Sequence, residues 1–67
     1  MKIKAKFVAF PMKDGIREKV SGEVAFTITK ADHSDVVMKA RDMAAMEHNL
    51  RAVPIQIVAY EEVRHAA

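Results

Sequence analysis

Between Lys2 and Phe10 apolar and polar residues alternate one by one. Ile3, Ala5, Phe7 and Ala9 fall on one side; Lys2, Lys4, Lys6, Val8 and Phe10 fall on the other. Side chains alternate across a strand, so this spacing predicts a first strand with one buried face. Pro11 ends it, because proline cannot donate to a ladder. Alternation resumes from about Arg17 to Thr29, with Val20, Gly22, Val24, Phe26 and Ile28 on one face and Lys19, Ser21, Glu23, Ala25, Thr27 and Thr29 on the other. Between the two runs stands Asp14-Gly15, a strong signal for a tight hairpin turn with positive φ. A two-residue turn there pairs residues whose numbers sum to 29, since the turn fixes the register. Apolar then meets apolar, Lys6 falls opposite Glu23, and Phe7 falls opposite Gly22, where its ring can cover the bare glycine backbone.

The period changes after Asp32. Val36, Val37, Ala40, Met43 and Ala44 follow the i, i+3/i+4, i+7, i+8 spacing of a helix with one apolar face, which predicts a helix from Asp32 to Asn49. Asp32 is the expected N-cap, its carboxylate accepting from the first turn, with Ser34 as the rival; Asp35 suits the positive end of the helix dipole. His48-Asn49-Leu50 is the stop, with Asn49 in the left-handed conformation and Leu50 folding back on Ala44 and Ala45. Glu47 falls near the middle of the buried stripe. Unpaired buried carboxylates are rare, so the expectation is that the helix end overhangs the core and Glu47 reaches water.

Alternation returns over Val53 to Val63. Val53, Ile55, Ile57 and Ala59 are read as the inner face, and Gln56, Val58, Tyr60 and Glu62 as the outer one. The helix reverses the chain, so this strand runs antiparallel to the first. The expected architecture is α+β, a single domain over residues 1–67 in strand–strand–helix–strand (ββαβ) order, with a three-stranded antiparallel-type sheet of order 2-1-3 and the helix on one face. Pro54 then starts an edge strand, where it is tolerated. Val36, Ala40, Met43 and Ala44 should pack on Phe7, Val24, Phe26, Ile55 and Ile57. The tail Arg64 to Ala67 is expected to fray.

A chain of 67 residues buries only about 60% of its unfolded surface. The absence of cysteine removes disulfides and thiolate metal sites as supports, which leaves self-association as a source of stability. With 11 basic and 9 acidic residues the net charge is +2, small for a dedicated nucleic-acid binder. No apolar run approaches a membrane span, and the lysine-rich start lacks the apolar stretch of a signal peptide, so the expected location is the cytoplasm.

Nothing in the chain supplies the parts of an active site. Asp32-His33-Ser34 has the residue types of a hydrolase triad, but neighbours in sequence cannot converge as that relay requires. There is no G-x-S-x-G, and two glycines cannot make a phosphate-cradling loop. The separations of His33, His48 and His65 match no metal-ligand spacing. The expectation is therefore no enzyme, no metal and no cofactor.

The outer sheet face carries the positive clue. Lys2, Lys4 and Lys6 share it with aromatic Phe10 and Tyr60, an arrangement also used by sheets that stack bases. Glu23 beside Lys6, and Glu62 near Lys2, make ordinary cross-strand pairing the simpler account. Val8, Phe10, Val58 and Tyr60 are large residues that the helix cannot cover, and an apolar cluster rimmed by charge marks a protein-docking surface. Lys4 and Lys6 belong to its rim. The outward helix face around Met38, Asp42 and Ala45 is the second candidate surface.

In size, absence of cysteine and strand–strand–helix–strand order, the chain resembles the small proteins that bacteriophages and other mobile elements use to block host machinery, among them the anti-CRISPR proteins. The likeness spans the whole chain and includes no motif, since that group shares none. It implies a non-enzymatic inhibitor, a phage protein that binds a host protein or nucleoprotein complex and occludes a surface. The leading expectation is thus a stoichiometric interaction module, with a homodimer as a further possibility. The alternative is a nucleic-acid-binding module using the Lys2/Lys4/Lys6 face.

Overall fold

A computed structural model describes residues 1–30 and 32–64. His65 and the end of the tail lie outside the described residues. The elements are β1 (Lys2–Ala9), β2 (Met12–Lys13), β3 (Ile16–Arg17), β4 (Val20–Thr27), α1 (His33–Glu47) and β5 (Ile55–Val63). The fold is α+β. One helix accompanies a three-stranded antiparallel sheet of order β4-β1-β5, with β1 in the centre.

The hairpin register follows from its turn. Asp14 has φ 53° and Gly15 φ 78°, two successive positive values that match the twist of the flanking strands. Lys13 pairs with Ile16 and Met12 with Arg17, and the same register continues through Ala9–Val20 to Lys2–Thr27. The two long strands are not continuous, however. The ladder breaks around Pro11, and β2 and β3 form a two-stranded ribbon of their own. Across the gap the Glu18 amide still donates to the Pro11 carbonyl at 2.9 Å, and the Arg17 guanidinium donates to the Phe10 carbonyl at 2.8 Å. The ribbon projects as an arm, which accounts for a longest dimension of 48 Å against 21 and 17 Å. Met12 and Ile16 on it are exposed.

Gly15→Val forces a branched side chain into left-handed backbone, at a cost of about 1–2 kcal/mol. Since the arm buries little, the strain is expected to melt the arm rather than the core. Amide exchange should accelerate at residues 12–17 while the global melting temperature moves little. A variant with unchanged exchange in the arm would show that the turn does not depend on Gly15.

Asp32 is the N-cap residue, in extended conformation, and its carbonyl accepts the first helical bond from Val36 at 3.0 Å. Its carboxylate makes no capping bond, contrary to expectation; the position is held by the backbone alone. At the other end Asn49 takes φ 54°, and the Leu50 amide donates to the Ala45 carbonyl at 2.9 Å, the six-to-one bond of a Schellman end. That turn drives Leu50 into the core, and Glu47 is exposed.

The core gathers Ile3, Ala5, Phe7 and Ala9 from β1, Val24 and Phe26 from β4, Val36, Ala40 and Ala44 from the helix, and Leu50. The two helical alanines let α1 approach the sheet closely. Met43, Ile55, Ile57 and Tyr60 are only partly buried against this cluster. The core therefore sits mainly over β1 and β4, and no polar side chain is buried among the described residues.

Candidate docking surface

With α1 on one side of the sheet, no element among the described residues lies over the other side. Its central row is the polar half of β1: Lys2, Lys4, Lys6 and half-buried Val8, with half-buried Phe10 at the root of the arm. Ser21, Glu23, Ala25 and Thr27 of β4 lie opposite on one flank. On the other flank β5 departs from a plain alternation. Ile55, Gln56 and Ile57 pair with Ala9, Val8 and Phe7, but the next pair is Ala59 with Lys6, so Val58 is an extra residue in a β-bulge.

A one-residue slip moves every later side chain to the opposite face. Ala59, Glu61 and Val63 therefore line the open face opposite Lys6, Lys4 and Lys2, whereas Tyr60 and Glu62 pair with Ala5 and Ile3 on the helix side. This corrects two expectations. Tyr60 does not join Phe10 in an outer aromatic cluster. Its hydroxyl lies 3.0 Å from Nδ1 of His33 in a hydrogen bond, and the two rings are 5.7 Å apart. Glu62 does not neighbour Lys2; the acid on the open face is Glu61, opposite Lys4.

The apolar part of the open face is accordingly smaller than the pattern promised. Val8 and Phe10 are half-buried, and Val58 is 53% exposed at the bulge. Val58 borders an open depression of about 430 Å³ over Lys6, Val8, Ser21 and Glu23. It also borders one of about 440 Å³ on the helix side, shared with His33, Val37, Arg41 and Tyr60. The charged part is partly balanced, with Lys2, Lys4 and Lys6 beside Glu23 and Glu61, which leaves a small basic excess. Lys4 Nζ sits 3.2 Å from Glu23, both half in solvent, so the pair reaches diagonally rather than straight across from Lys6. Such a pair contributes little to stability, but it lowers the positive potential of the lysine row.

No protein-family model matches this chain, and neither a curated protein nor a solved structure matches it.

The second candidate surface is thinner still. Met38 and Asp42 are exposed on the outward helix face, but Ala45 is half-buried, because the chain returns past it to place Leu50. His48 closes the helix with its ring edge-on to Phe7, centroids 4.9 Å apart, and stands far from His33 along the helix. Among the described residues no group of three or more histidine, aspartate or glutamate side chains is placed to hold a metal. Among the described residues no helix is long and apolar enough to cross a membrane.

The bulge was the feature that sequence reasoning missed. Its trace is the unbroken apolar run Ile57 to Tyr60, in which period two cannot say which residue is the extra one.

Proposed function

We propose that this chain is a non-enzymatic protein-docking module that uses the open sheet face. Val8, Phe10 and Val58 would form its apolar centre, and Lys4 and Lys6 its rim. The reading rests on one observation: Val58 is held outward by a bulge beside Val8, on a sheet face that no element among the described residues covers. The basic rim favours a partner that presents acidic groups around an apolar centre. In the manner of the anti-CRISPR group, such a module would act in the cytoplasm, occluding a surface of a host protein or nucleoprotein complex. The Tyr60 hydroxyl is engaged with His33 on the helix side, so Tyr60 is not counted in the apolar centre. The balance of Lys4 by Glu23 and Glu61 favours protein over direct nucleic-acid contact.

Val58→Glu tests the reading. The residue is exposed and belongs to no buried cluster, so circular dichroism should be close to wild type, while affinity capture from a host lysate should be lost. Phe10→Glu is the companion variant nearer the arm. Capture retained by both folded variants rules out this face. Wild-type capture abolished by nuclease returns the lysine row as a nucleic-acid site.

A further inference from the structure

The two edges of the sheet are built differently. β5 is blunted by Pro54 just before it and by the bulge at Val58. β4 has neither device. Among the described residues it is an outermost strand, eight residues long, with no proline, no lysine and no register shift against β1.

The direction of its backbone groups can be assigned. Ile28 exchanges two hydrogen bonds with Met1: its amide donates to the Met1 carbonyl at 2.9 Å, and its carbonyl accepts from the Met1 amino group at 2.8 Å. Bonded pairs recur every second residue in an antiparallel ladder. Val20, Gly22, Val24 and Phe26 therefore turn their amides and carbonyls toward β1. Ser21, Glu23, Ala25 and Thr27 turn theirs outward, away from the sheet.

We propose that this edge is a homodimer interface, at which β4 of two copies pair antiparallel about a two-fold axis to give one six-stranded sheet. The strand is self-complementary in one register. With Val24 on the axis, Glu23 meets Ala25 of the second copy and Ser21 meets Thr27, so about eight backbone hydrogen bonds form and no like charges face each other. On the helix side Val24 meets its own copy and Gly22 meets Phe26, apolar beside apolar. Moving the axis to Glu23 sets Glu23 against itself; moving it to Ala25 carries Ser21 past the end of the strand.

The helix flank above this edge has the same character. Lys39 Nζ stands 6.0 Å from the Phe26 ring, which places this flank over β4. Helical spacing puts Asp35, Asp42 and Met46 on that flank, with Met46 74% exposed. A two-fold operator brings the acids of one copy toward Lys39 of the other and gives Met46 a neighbour.

Analytical ultracentrifugation of the full chain decides the proposal. Wild type should sediment as a dimer that dissociates on dilution. Ala25→Glu places two like-charge pairs across the axis, against Glu23 of each copy, and should weaken the dimer at least about tenfold. Within its own chain the new acid lies opposite Lys4, so the fold should be intact by circular dichroism. Ala25→Gln carries similar bulk without the charge and should leave the dimer close to wild type. A wild type that stays monomeric at millimolar concentration overturns the proposal. So does an Ala25→Glu variant that remains dimeric. The dimer should survive Val58→Glu, which separates failure at this edge from failure of the open-face reading.

Discussion

Phe7→Ala is expected to leave the chain largely unfolded at room temperature. Phe7 is 1% exposed on the central strand, with Gly22 beneath its ring and His48 edge-on to it. Truncating a buried phenylalanine costs about 3–5 kcal/mol. The whole stability of a fold this size is on the order of 3–10 kcal/mol, with the lower end apt for a core of ten residues. Chemical denaturation followed by circular dichroism should show no native baseline, or a midpoint far below wild type. Phe26→Ala should follow in the same direction with a smaller loss, because Phe26 is 7% exposed on an edge strand whereas Phe7 is 1% exposed on the central one. A Phe7→Ala variant that melts like wild type would mean that the core does not centre on β1.

The hairpin was legible because two independent signals agree on it. Asp14-Gly15 demands a two-residue turn with positive φ, and the alternation on either side demands the register that such a turn gives. The observed pairs, from Lys13–Ile16 to Lys2–Thr27, keep that register even across the break at Pro11. The helix end was legible for a similar reason: Asn49 and Leu50 together specify a left-handed turn and an apolar return, and both occur. The N-terminal cap was half legible. Sequence places Asp32 correctly, but whether a carboxylate swings back to the first turn depends on its rotamer and solvent, which no pattern encodes.

The open face was legible only up to Ile57. Patterning assigns faces by parity, and parity carries no information about an inserted residue once polar markers are absent. From Ile57 to Tyr60 there are none. The cost of the slip is local to the candidate site: Tyr60 and Glu62 leave the face, and Ala59 and Glu61 enter it. The outcome also has a physical logic. A tyrosine on the helix side reaches His33 at the start of α1, where a small residue at that place would leave the helix end unsupported. Placing alanine opposite Lys6 in turn leaves room for the lysine chain to lie along the sheet. The edge position of the second strand followed from the expected strand order, but which of its backbone groups face outward was invisible until its bonded pairs were known.

Gly22→Ala is expected to destabilise the fold by about 1–2 kcal/mol, although it adds only a methyl group to a strand. The sign is set by a competition. Replacing glycine by alanine restricts the unfolded chain, which alone stabilises by about 0.4–1 kcal/mol where the backbone permits it. Gly22 is not in left-handed backbone, so alanine meets no strain in φ. Space is the obstacle. A Cβ at Gly22 would stand 2.7 Å from Cζ and 2.8 Å from Cε1 of Phe7, and 3.4 Å from Cε1 of His48. The Phe7 ring cannot withdraw cheaply, since it is buried on every side, and overpacking of this kind costs about 1–3 kcal/mol. Because the cost is steric, shortening the obstructing ring should relieve it. Phe7→Leu alone loses packing, but Gly22→Ala with Phe7→Leu should be less destabilised than the two single changes summed, with a coupling of about 0.5–2 kcal/mol. Urea denaturation of the four proteins measures that coupling. Additive losses, or a Gly22→Ala variant as stable as wild type, would show that the ring does not rest on the glycine backbone.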